Sequence, residues 1–184
     1  IFRHCNSPDA GHGDSEGSLG NFTVHKGLTD LRNAIQFLKL KAPELDHNRI
    51  ILIGRSIGAT IALLGLEEGL GIKCGVLLSP RTNFSTAKKG TYTVQQDGKN
   101  IINTTMMKDG RKKNFYESGR NIKVPVLLIH GEKDQYIEYH QSEILRTTSD
   151  WFNYLLIDGA DHQFAGHREK VSREIVKFAQ KNLL

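Results

Sequence analysis

The chain has 184 residues, which suits one domain, 1–184, with enough apolar material (38%) for one core. No apolar stretch approaches the roughly 18 residues a membrane-spanning helix needs. Its 18 glycines against 4 prolines exclude collagen-like and proline-rich disordered classes, and two cysteines exclude a dense disulfide framework. The net charge of +5 is local: Lys88 to Lys123 holds nine basic and three acidic residues, +6, so the rest of the chain sums to −1.

That distribution argues against a nucleic-acid partner, which calls for basic residues on a folded face with aromatic stacking partners. The basic stretch reads instead as a solvated surface segment, or as an anion-attracting rim beside a site. Cys5 and Cys74 lack metal-ligand spacing and read as lone buried thiols. The chain opens on Ile1, and nothing ahead of the first glycine cluster looks like a signal peptide. A cytoplasmic location is the expectation, although a start without Met reads as processed or truncated, and a targeting signal could have been lost with the missing part.

The elements follow in order. Ile1–His4 is a short β-like run, and Asn6 to Gly20 is rich in turn formers. Between His25 and Leu40, apolar residues at Leu28, Leu31, Ile35 and Leu38 step by three and four, the period of an amphipathic helix. Ile50–Ile53 is apolar on both faces, as a central parallel strand is. A helix over Ala59–Leu66, stopped by Gly69 and Gly71, leads to a second buried strand at Gly75–Leu78. The basic insertion, about 81–121, has no strong periodicity. A strand at Val124–Ile129, a helix at Tyr136–Thr147, a strand at Tyr154–Ile157 and a helix at Val171–Leu184 complete the chain. Strands alternating with helices predict an α/β fold, with a mostly parallel sheet and helices on both faces.

In such sheets chemistry sits beyond the carboxyl ends of the strands. After the first central strand comes Gly54-Arg55-Ser56-Ile57-Gly58, a G-x-S-x-G sequence between strand and helix. A turn this tight holds a serine in a strained conformation with neighbouring chains pressed close, and both glycines are expected to remove colliding side chains. After the third strand comes His130-Gly131-Glu132-Lys133-Asp134, and after the fourth Asp158-Gly159-Ala160-Asp161-His162.

Ser56, Asp134 and His162 thus follow three different strands. A serine hydroxyl needs a base that titrates near working pH, and histidine supplies one. A carboxylate then fixes the imidazole tautomer and stabilises the imidazolium. Backbone N–H groups take up the oxyanion charge, with the N–H of Ile57 the natural first donor. Within these loops Asp134 competes with Glu132, Asp158 and Asp161. His130 reads as a hydrogen-bonding member of its own loop. His4, His12, His25, His47, His140 and His167 read as surface or structural residues.

These motifs together resemble the α/β-hydrolase superfamily, in its lipase-, esterase- and aminopeptidase-like branches. Gly11-His12-Gly13-Asp14-Ser15-Glu16-Gly17 is similar to the stretch after the family's fourth strand. G-R-S-I-G is similar to its nucleophile elbow, H-G-E-K-D to its acid loop, and G-A-D-H to its histidine loop. The resemblance implies a Ser56–His162–Asp134 triad, an acyl-enzyme mechanism on carboxylic esters, thioesters or small amides, a small-molecule acyl substrate, and no metal or organic cofactor. It implies no stable membrane insertion, and it places a small cap at about 81–121. There Phe84, Tyr92, Val94, Ile101, Ile102, Met106, Met107, Phe115 and Tyr116 either line an acyl pocket or anchor the cap. The family's earlier strands, and the loop that supplies its second oxyanion donor, have no counterpart in these residues. The expectation is a fold incomplete at its N-terminal side, part of a longer polypeptide, and unstable or weakly active alone. A non-catalytic binding or scaffold protein on the same fold is the alternative.

Overall fold

A computed structural model describes residue 20 and residues 22–85, 93–96, 99–102 and 104–184. The expected strand at Ile1–His4, the G-H-G stretch at Gly11–Gly17, and Cys5 lie outside the described residues. The chain runs through α1 (Val24–Lys41), β1 (Ile50–Arg55), α2 (Ile57–Glu67) and β2 (Ile72–Leu78). The insertion holds β3 (Thr93–Gln96), β4 (Lys99–Ile102), α3 (Thr104–Gly110) and α4 (Phe115–Asn121). After it come β5 (Val126–Gly131), α5 (His140–Arg146), β6 (Phe152–Ile157) and α6 (Arg168–Leu183).

Four strands form a parallel sheet in the order β1-β2-β5-β6. Because strand side chains alternate between faces, β5 sends Val126 and Leu128 to one core and Leu127 and Ile129 to the other. The first core is closed by α1, α2 and α4. The second is closed by Val171 and Phe178 of α6, so helices cover both faces of the sheet as expected.

Helix α2 is apolar nearly all round and buried from Ala59 to Leu66, which makes it the central helix behind β1 and β2. Helix α1 packs on it through Leu28, Leu31 and Ile35. The α1 start is fixed by Thr23, whose hydroxyl accepts the Lys26 N–H at 3.0 Å. None of the described helices is long and apolar enough to cross a membrane.

The described part of the insertion holds two strands and two helices that its weak periodicity did not predict. β3 and β4 pair antiparallel as a separate two-stranded sheet, and α4 is capped by Asn114. Phe84, Met106, Met107 and Phe115 are buried in the first core, with the Phe84 and Phe115 rings 5.5 Å apart. Those four anchor the insertion, and Tyr116 packs beside them while its hydroxyl lies 3.1 Å from Thr82 Oγ1. The side chains of Tyr92, Val94, Ile101 and Ile102 lie outside the description. Helix α5 begins at His140, four residues later than its sequence pattern predicts, because residues 132–139 are held as a hydrogen-bonded loop.

Candidate active site

The carboxyl ends of the strands are tied together before any functional side chain appears. Ser56 N–H donates to Leu78 O at 2.8 Å, Ser79 N–H to Ile129 O at 2.8 Å, and Glu132 N–H to Ile157 O at 3.0 Å. Among the described residues, three non-glycine residues have positive φ: Ser56, Ser79 and Phe164. Each lies just past the carboxyl end of a strand or in the loop that follows one, so backbone strain concentrates along this rim.

Ser56 has φ 56° and ψ −121°, between β1 and α2. The turn works only because Gly54 lacks a side chain. A Cβ there would lie 2.6 Å from Gly58 C and 2.7 Å from Ala59 N, and closer still to Gly58 O. The expectation for Gly58 is corrected: a Cβ at Gly58 meets nothing within 4 Å among the described residues, so one glycine makes the close approach. Ile57 and Gly58 open α2, where N–H groups have no intrahelical acceptor and the helix dipole favours negative charge.

The Asp134 side chain is fully buried and its two oxygens are used differently. Oδ1 accepts the N–H groups of Tyr136 and Ile137, each at 2.9 Å. Oδ2 lies 2.6 Å from His162 Nδ1 and 3.3 Å from His130 Nε2. Burial opposes ionisation of this carboxyl. The hydrogen bonds from His130, His162, Ile137 and Tyr136 outweigh burial and hold its pKa well below the usual carboxylate range. His162 Nδ1 has a carboxylate oxygen as its partner, so it carries the proton. The lone pair is then left on Nε2, on the far side of the ring.

The other candidate acids have separate tasks. Glu132 Oε2 accepts Gly159 N–H at 3.0 Å, joining the acid and histidine loops. Asp161 Oδ1 accepts the N–H groups of Gln163 and Ala165, shaping the histidine loop from within. No hydrogen bond or ion pair among the described residues joins Glu132, Asp158 or Asp161 to His162.

Among the described strands β1 and β6 stand at opposite ends of the order, so the histidine loop must fold back to reach the elbow. Arg55, beside Ser56, donates a hydrogen bond from Nη1 to Oε1 of Gln163, beside His162. That bridge brings the two loops together over the sheet. Ser56 Oγ makes no hydrogen bond among the described residues, and Nε2 of His162 likewise has none. In ligand-free sites such contacts are often long and tighten only with substrate.

Three features of the site escape sequence patterns. The Tyr136 ring stands edge-on to His162 with centroids 5.3 Å apart. Buried Arg81 donates from Nη2 to Tyr136 O at 2.7 Å. Gln141 Oε1 accepts the Thr82 and Asn83 N–H groups, each at 2.9 Å, and so pins the start of the insertion to the first turn of α5. The tyrosine two residues past the acid was the one available signal.

Residues 22–184 match the model of the prolyl oligopeptidase family, so the chain belongs to that family. With its α/β-hydrolase fold, it is a serine hydrolase. Solved structures with the same fold include Est1E of Butyrivibrio proteoclasticus with ferulic acid bound. It is 21% identical with TM-score 0.77, the match covering 94% of this chain and 74% of that one. The esterase Pf2001 of Pyrococcus furiosus is 22% identical with TM-score 0.73, covering 96% and 69% respectively. An acylaminoacyl peptidase of Pyrococcus horikoshii is 21% identical with TM-score 0.70, covering 90% of this chain and 29% of that one. No curated protein matches the chain.

Proposed function

We propose that this serine hydrolase cleaves carboxylic esters, with thioesters and small amides as close variants, through a Ser56–His162–Asp134 triad. The observation that carries the reading is the 2.6 Å contact between His162 Nδ1 and Asp134 Oδ2, in a loop that also touches the serine elbow. It fixes the tautomer in which Nε2 can accept a proton.

In the proposed cycle Ser56 Oγ attacks the substrate carbonyl carbon as its proton passes to His162 Nε2. The oxyanion is stabilised by the Ile57 N–H at the start of α2, a term worth roughly 3 kcal/mol per donor where such donors have been removed. His162 then gives its proton to the leaving alkoxide, thiolate or amine, which leaves Ser56 acylated. A water loses its proton to His162 and attacks the acyl carbon, and the carboxylic acid departs as Ser56 regains its hydrogen. The buried Asp134 carboxylate stabilises the imidazolium in both halves without itself taking the proton.

The fold shared with a protein described as an esterase supports esters as the first substrate class to test. We read residues 1–184 as one hydrolase domain, with about 81–121 as its cap. Hydrolysis of p-nitrophenyl esters of increasing acyl length tests the reaction class. Turnover with a preferred length, abolished in Ser56→Ala, is the expected result. No turnover of any ester or thioester by the folded protein would remove the ester reading.

A further inference from the structure

We propose that His130 is a positioning residue for the acid of the triad, holding the Asp134 carboxylate so that Oδ2 stays on His162. The proposal rests on the triad reading and assigns a task to a second imidazole that the reaction itself does not use.

His130 is fully buried at the end of β5. Its Nε2 lies 3.0 Å from Ile137 O and 3.3 Å from Asp134 Oδ2, both of them acceptors, so Nε2 carries a hydrogen. Nδ1 lies 2.7 Å from Ser142 Oγ. A neutral ring accepts there, so the Ser142 hydroxyl donates. One tautomer satisfies both nitrogens, and a buried ring satisfied on both sides cannot turn without leaving a polar atom unpaired.

The arrangement bears on Asp134 because its two oxygens are held by different means. Oδ1 is fixed by backbone N–H groups of its own loop, and that loop is fastened by the same His130 N–H at Ile137 O. Oδ2 is approached from one side by His162 and from the other by His130. Ser142 belongs to α5, so the chain of contacts runs from a helix, through an imidazole, to the carboxylate. A ring without a donor would occupy the same place but release both Ile137 O and the second contact on Oδ2.

The test compares His130→Phe with His130→Gln, whose amide N–H reaches about as far as Nε2. His130→Phe is expected to lose about 10- to 100-fold in kcat on a p-nitrophenyl ester, with KM within about twofold, as loosened alignment costs turnover and not binding. His130→Gln is expected to recover most of that loss. Proton NMR adds a readout that mere destabilisation would not move. The low-field resonance of His162 Nδ1–H, identified by its loss in Asp134→Asn, should shift or broaden in folded His130→Phe and persist in His130→Gln.

Should His130→Phe not fold, Ser142→Ala frees Nδ1 and should lower kcat in the same direction with KM unchanged. Full kcat and an unshifted resonance in His130→Phe, or in Ser142→Ala where His130→Phe does not fold, with His162→Ala inactive, would overturn the positioning role and leave the triad standing. Full activity in His162→Ala would overturn both.

Discussion

Gly131 sits where the acid loop leaves β5, and its missing side chain sets the distance between the two loops that carry Asp134 and His162. A Cβ there would lie 2.7 Å from Asp161 O and 2.9 Å from Ala160 C, with Ala160 O closer still. These are backbone atoms, so no side-chain rotation relieves the overlap. Reaching ordinary contact at 3.4 Å or more requires Ala160 and Asp161 to retreat by about 1 Å, and His162 is the next residue. Overpacking of this kind costs about 1–3 kcal/mol, and a displacement of about 1 Å at a reacting group costs about 100-fold in rate. Gly131→Ala should therefore lower Tm and reduce kcat for ester hydrolysis by about 100-fold. Gly58→Ala, where a Cβ meets nothing within 4 Å among the described residues, should keep kcat within a few-fold of the parent. Thermal melts and steady-state kinetics on the two variants decide the matter. Parent-like kcat in a folded Gly131→Ala, or equal damage from both substitutions, would refute the close-approach reasoning.

Asp134→Asn keeps the shape but removes the charge that fixes the His162 tautomer, and kcat should fall by about 10⁴-fold, the loss seen for the same change in a well-studied serine protease. Because the folded pKa of Asp134 is depressed, its contribution to stability is full above the unfolded value of about 3.9 and is lost as pH falls through the folded value. Urea melts should thus show the parent losing its advantage over Asp134→Asn below about pH 4, and an advantage that grows as pH falls would contradict the assignment. Burial pushes the Cys74 thiol up to about 11, with Lys73 opposing it, so iodoacetamide at pH 8, followed by peptide mass spectrometry, should alkylate Cys74 far more slowly in the native protein than in the urea-unfolded one. Phe115→Ala empties a fully buried site beside Phe84 and should cost about 3–5 kcal/mol by chemical denaturation; a loss under about 1 kcal/mol would show that the insertion is not anchored there.

The sheet was legible because its strands are short apolar runs with a glycine or serine within two residues of their end, and α2 because it is apolar nearly all round. The insertion was not. Its anchors Phe84, Met106, Met107 and Phe115 are scattered among lysines and fall into register only once α3 and α4 have packed on the core. At the site, three loop positions after three strands were readable from spacing alone. Which of Glu132, Asp134, Asp158 and Asp161 lies against His162 shows only in contacts between residues distant in the chain. The parts of Tyr136, Arg81, Gln141 and His130 depend on side chains meeting across loops, and no periodicity encodes that. The expectation that both elbow glycines prevent clashes holds at Gly54 and finds no counterpart at Gly58 among the described residues, because the turn brings the backbone of residues 58 and 59 against residue 54.

The central claim is that Ser56 is made nucleophilic by an imidazole aligned on a buried carboxylate. A fluorophosphonate probe, followed by peptide mass spectrometry, tests it most directly. The account predicts one phosphonyl adduct on Ser56, absent in Ser56→Ala and formed far more slowly in His162→Ala. An adduct on another serine, or labelling that persists at the parent rate in Ser56→Ala, would contradict it.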